Sequence, residues 1–350
     1  STDGTNILKS TGNLSINGGI FNLKSTQGGN SLNAKGSLSI NGGIFNFEHA
    51  SYNSSSMEVQ CDATISDAKF NFTGDEYTSY YCVYFRKGTN GSTIKNCEFI
   101  IDKCAKGGFY AGQAGLKIEN SKFDINLYSS DKKICGFYAS KNYSIIESTL
   151  DITVSSPYSP PRIISDAFVN LETSVIENCV IDINSSGTGI NIYDSNEQGN
   201  VLSVSGSKIN IDSNSDSFYG MRTANLIVDN SYLSVRSPIR VGFYRVYGQF
   251  NNSTINIDSS VGFYLERDPY SGELILTDCE IDIKAGMNDV EWDIYPRGFD
   301  VGSNCKLNIS GGSLYVLSPN NSYISSQANF IITRNCDLSG SDTVLGRYQQ

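Results

Sequence analysis

The sequence predicts an all-β fold, a single right-handed parallel β-helix (a solenoid) of about thirteen coils with three parallel sheets, as one domain over residues 1–350. Three observations predict it. A frame of about 26 residues recurs along the chain, apolar residues alternate two apart within it, and one bend in every repeat carries the same two residue types.

The frame is plainest where Leu14-Ser-Ile16-Asn-Gly-Gly19-Ile-Phe21-Asn-Leu23 aligns with Leu38-Ser-Ile40-Asn-Gly-Gly43-Ile-Phe45-Asn-Phe47. Its anchors continue as Ile65, Ile94, Ile118, Ile145, Ile176, Val204, Val228, Phe250, Leu276, Ile309 and a degenerate Thr333. Apolar residues return five and seven positions later, for example Phe70 and Phe72, with polar residues between them. That is the period of a strand buried on one side, so each repeat is expected to hold two short strands separated by a bend.

Two residues after the anchor stand Gly18, Gly42, Asp67, Asn96, Asn120, Asn178, Gly206, Asn230, Asn252, Asp278, Gly311 and Asn335, types that tolerate a left-handed backbone. Glu147 alone departs. The next position is always small, from Gly19 through Cys97, Ser121 and Cys179 to Cys279 and Cys336, as stacking at one tight corner requires. A third strand precedes each anchor, in pairs such as Leu32-Asn33, Val83-Tyr84, Phe109-Tyr110, Phe137-Tyr138, Phe168-Val169, Phe218-Tyr219, Phe243-Tyr244, Phe263-Tyr264 and Phe299-Asp300, the first residue inward and the second outward. A β-propeller needs a longer unit of about 40 to 45 residues, so it is the weaker alternative.

The Leu-x-Ile-x-Gly-Gly repeats at 14–23 and 38–47 resemble those of secreted bacterial repeat proteins that bind carbohydrate, and the wider frame is similar to the pectate-lyase-like β-helix superfamily. The resemblance implies an extracellular or cell-surface location and a polysaccharide ligand. Beyond the first 50 residues it is a likeness of fold pattern, and many activities share that pattern.

Composition narrows the partners. A net charge of -10 is the wrong sign for a phosphate backbone or an anionic membrane surface, and no long apolar run is present to enter a bilayer. The opening Ser1-Thr2-Asp3 is expected of a processed export product or a trimmed piece. Nine cysteines show no metal spacing; those at the bend are expected to fill core space, and a regular solenoid has little need of disulfides.

Catalytic material is sparse. His49 is the only histidine and is expected in a loop, which removes histidine triads, and the motifs of polygalacturonases are absent. An enzyme, a polysaccharide lyase or glycoside hydrolase, would have to use loop acids such as Glu266, Asp268, Glu291 or Asp293. Asp124, Asp151 and Asp182 fall at one outward position in successive coils, either a solvated ladder or a calcium site, and no other cofactor is expected.

The most suggestive pattern is a row of outward tyrosines, Tyr84, Tyr110 and Tyr138, then Tyr219, Tyr244 and Tyr264. Long corners at 155–166, 193–200, 266–273 and 284–298 flank that sheet and bring Tyr193, Glu266, Arg267, Asp268, Trp292, Asp293 and Arg297 towards it. Aromatic faces with neighbouring carboxylates and amides suit sugar rings. A non-catalytic module that binds polysaccharide or a surface partner is therefore expected, with a structural stalk as the alternative.

Overall fold

The fold was read from a computed structural model. It describes residues 6–25, 28–49, 54–74, 81–88, 90–103, 107–112, 115–128, 134–155, 166–170, 174–192, 201–213, 219–223, 225–265, 272–286, 297–301, 304–317, 329–332 and 337–340. Every regular element among them is a β-strand, so none is a helix long and apolar enough to cross a membrane. The strands pair in parallel and wind as a β-solenoid. The chain divides into two compact units, Ser1–Ser186 and Gly187–Gln350.

In the first unit the repeat frame becomes the hydrogen-bond register. Ile40 pairs with Ile65, Ile65 with Ile94, Ile94 with Ile118, Ile118 with Ile145 and Ile145 with Ile176. Five residues on, Phe21, Phe45, Phe70, Phe99 and Phe123 stack ring on ring at 4.6 to 5.0 Å. This spacing is the strand separation itself, so identical side chains at one position stack at their preferred distance. Phe109 and Phe137 of the third strand meet the Phe123 ring edge-on across the core. Each such buried ring is worth about 3 to 5 kcal/mol against alanine.

The second unit repeats the scheme with mainly aliphatic anchors and one phenylalanine, Phe250. Val204 pairs with Val228, Val228 with Phe250, Phe250 with Leu276 and Leu276 with Ile309. Its third strand stacks Phe243 on Phe263 and Phe263 on Phe299.

The bend behaves as its residue types require. Asp67, Asn96, Asn120, Asn178, Asn230, Asn252 and Asp278 all lie at φ between 44° and 54°. Glu147 joins them at φ 49°, so position overrides residue type there. From Ala68 to Cys279 the small column following it is buried and does more than fill space. Ser121 Oγ donates to the Glu119 carbonyl at 2.8 Å and accepts from the Cys97 amide at 3.1 Å. Ser148 continues the chain below the Ser121 amide, and Ser207, Ser231 and Ser253 repeat it in the second unit. The Cys97 and Cys179 thiols make the same local turn bond, to Lys95 and Glu177.

Four expectations are corrected. In Leu38–His49 and Ala63–Thr73 the bend lies inside one continuous strand, because the parallel pairing carries on across the corner, Asn41 with Ser66 and Gly43 with Ala68. Asn33 does not face solvent but is 6 % exposed, its amide turned to Glu58 at 3.5 Å. His49 is no loop residue; it ends a strand opposite Ser25 and is buried. Disulfides are not wholly dispensed with, since Cys82 is in one, whereas Cys61, Cys97, Cys135, Cys179, Cys279 and Cys305 lie outside any disulfide.

Candidate functional site

The outward position of the third strand carries the tyrosines, one row in each unit. In the first unit Tyr84, Tyr110 and Tyr138 are in register, and the Tyr110 and Tyr138 rings stack at 4.6 Å with 5° between planes. Tyr81 leans on Tyr110 at 4.6 Å from the residue before the strand's inward pair. Burial, then the neighbouring Tyr138 and Tyr84 phenols, pushes the Tyr110 hydroxyl up to about 12, so it remains a proton donor at any physiological pH. Below Tyr84 the row continues with Glu58, whose carboxylate is held by Asn30, Asn33 and Gln60 and by Arg86 at 3.5 Å.

The second unit corrects the register of one tyrosine. The third strand is Met221–Arg222 where Phe218-Tyr219 was expected: Met221 pairs with Phe243, and Arg222 with Tyr244. Tyr219 nevertheless reaches the row from the preceding turn, its ring 3.9 Å from that of Tyr244 at 8°. Tyr244 in turn stacks on Tyr264 at 5.3 Å. The Arg222 and Arg245 guanidiniums lie 5.8 and 5.3 Å from the Tyr244 ring centre. Burial first, and then Tyr244, raises the pKa of the Tyr219 phenol above its ordinary value. One coil beyond Tyr264 stands Asp300, bound by Arg297 at 2.9 Å.

Asp300 stands at the outward position expected of it, whereas Arg222 and Arg245 were missed, and Arg222 had a partial signal. A glycine precedes the inward residue in Gly108-Phe109, Gly242-Phe243, Gly262-Phe263 and Gly298-Phe299, and the same glycine marks Gly220-Met221. The reason is steric: a methyl group on Gly220 would sit 2.2 Å from Val235 Cγ1, and one on Gly262 2.5 Å from the Gly298 carbonyl. Arg245 had no such marker; it reaches the Tyr244 ring from a left-handed backbone at φ 57°.

The stacking also changes what the rows present. In the pairs Tyr110–Tyr138, Tyr219–Tyr244 and Tyr244–Tyr264 the ring faces lie against one another, so ring edges, with flanking guanidinium and carboxylate groups, border the surface. Sugar stacking on broad ring faces, the expected mode, is confined to whatever ring ends a row.

Asp124, Asp151 and Asp182 do stand in register on one face. Partial burial, then the charges of Asp124 and Asp182, raises the pKa of Asp151. They stand one per coil and do not surround a common point; among the described residues no three acids, cysteines or histidines converge as a metal donor set. Tyr193, Glu266, Arg267, Asp268, Glu291, Trp292 and Asp293 lie outside the described residues. No protein-family model matches the chain, and no curated protein is similar to it.

Proposed function

We propose that the chain is an exported, non-catalytic module that holds a polysaccharide along its tyrosine-bearing sheet. The observation that carries this reading is the stacked row Tyr219, Tyr244 and Tyr264 with Arg222 and Arg245 against it. Stacking fixes side chains that have few torsions to lose, so the hydroxyls are preorganised at little entropic cost. Phenol and guanidinium donors beside an aspartate acceptor match the mixed donor and acceptor character of sugar hydroxyls. The right-handed winding of the pectate-lyase-like superfamily belongs to the same reading, and the Cys82 disulfide supports an oxidising compartment outside the cytosol.

The test is a glycan array with the full chain, followed by titration of any retained glycan into the paired variant Tyr244→Phe, Tyr264→Phe. Losing both hydroxyls while keeping the rings is expected to weaken binding about tenfold at unchanged melting temperature. A folded protein that retains no glycan, or an affinity indifferent to both hydroxyls, overturns the reading. A structural stalk is the second reading, favoured by the ring faces being occupied by each other.

A further inference from the structure

A second surface lies in the first unit, on the bend and away from the tyrosine column. There the corner opens a groove of about 760 Å³ whose lining runs from Gly43 to Thr149. At about 4.8 Å per coil it extends about 20 Å. The small column, including Ala68, Cys97 and Ser121, forms its floor.

One wall is the left-handed column. Asn120 Nδ2 donates to Asn96 Oδ1 at 2.8 Å, and Asn96 Nδ2 donates to Asp67 Oδ1 at 2.9 Å. Glu147 then interrupts the relay, since an ionised carboxylate only accepts and cannot donate to the Asn120 oxygen. The wall therefore ends in acceptor groups on both sides of two amides. Opposite it stand Lys69, Glu98 and Lys122, with Lys69 and Glu98 paired at 2.8 Å.

Two features decide the class of ligand. The corner's backbone is already spent: the amides of Asn96, Lys122 and Thr149 bond to carbonyls of Glu119, Cys97 and Ser121 in adjoining coils. An added peptide strand would find no open edge to pair with. The charges also nearly cancel, Asp67, Glu98 and Glu147 against Lys69 and Lys122, so the groove exerts little pull on a polyanion or a polycation. What remains is a straight row of side-chain amides, acids and ammonium groups over a floor without bulk. We infer that this groove binds a segment of a linear, uncharged polysaccharide, independently of the tyrosine rows.

The experiment is calorimetric titration of the full chain with neutral β-linked oligosaccharides of glucose, xylose and mannose, and with oligouronates, before and after Asn96→Gly with Asn120→Gly. Glycine accepts the φ of 53° and 44° that these positions need while deleting both amides, and a melting curve checks that the variant is folded. A neutral oligosaccharide is expected to bind and to lose about tenfold or more in affinity in the glycine variant, with Tyr244→Phe, Tyr264→Phe unchanged. Binding of oligouronates alone, no neutral binding by the folded protein, or indifference to the two glycines overturns the groove. Loss only in the tyrosine variant overturns the groove and upholds the tyrosine face; loss only in the glycine variant upholds the groove and overturns that face.

Discussion

His49 is 3 % exposed, with Nε2 held 3.1 Å from both the carbonyl and the hydroxyl of Ser54. Burial lowers its pKa below 6.5, outweighing the Ser54 bond that favours the charged ring. As pH falls below about 6.5, the unfolded chain takes up a proton that the folded chain refuses, so stability is full above that value and declines beneath it. Melting temperatures between pH 7 and pH 5 should show this decline, and His49→Gln should flatten it. An unchanged slope in the variant would place the effect elsewhere. Glu147 is another residue at odds with its position, holding φ 49° without the local side-chain bonding that eases asparagine into that region. Glu147→Asn is expected to stabilise the protein by about 1 kcal/mol, read by chemical denaturation, through relief of the backbone and a restored amide relay. Equal or lower stability would show that the carboxylate is held there by contacts worth more than the strain.

At the scale of the strand, the sequence and structure agree wherever two independent markers coincide. The first and second strands of each repeat were legible because an apolar period and a small bend residue fix the same register, as in Ile118-x-Asn120-Ser121-x-Phe123. The third strand was placed by its aromatic pair alone, and that failed once: Phe218-Tyr219 imitates the pair three residues early, while Gly220 marks the true register. The bend cysteines and serines were legible as small but not as bonded, although alanine would satisfy size alone and occurs there only as Ala68. Gly262→Ala tests the glycine column. The new methyl would meet the Gly298 carbonyl at 2.5 Å and Ile283 Cγ2 at 2.8 Å, neither of which yields without moving backbone or core. Amide exchange should rise in the strands Thr254–Leu265 and Arg297–Val301 and stay unaltered in Gly107–Ala111, because repeats exchange energy only with their neighbours. Uniformly faster exchange would mean that the fold melts as one unit.

At the scale of the whole molecule, the fold was readable and the activity was not, for a physical reason. Stacking demands the same residue type at every coil, so the chain writes its architecture many times over. A binding surface is written once, in residues such as Arg222 and Arg245 whose types do not recur from coil to coil. The relay at the bend has one more consequence. Each serine hydroxyl supplies a donor to its own coil and an acceptor to the adjacent one, as Ser231 does for Asp229 and Ser207. Within the serine run Ser207, Ser231 and Ser253, excising or duplicating a complete turn joins like sockets, whereas removing part of a turn severs the relay. Inheritance in this molecule is therefore modular: its length is free to change by unequal recombination in whole repeats, and natural relatives should differ in size by multiples of one coil.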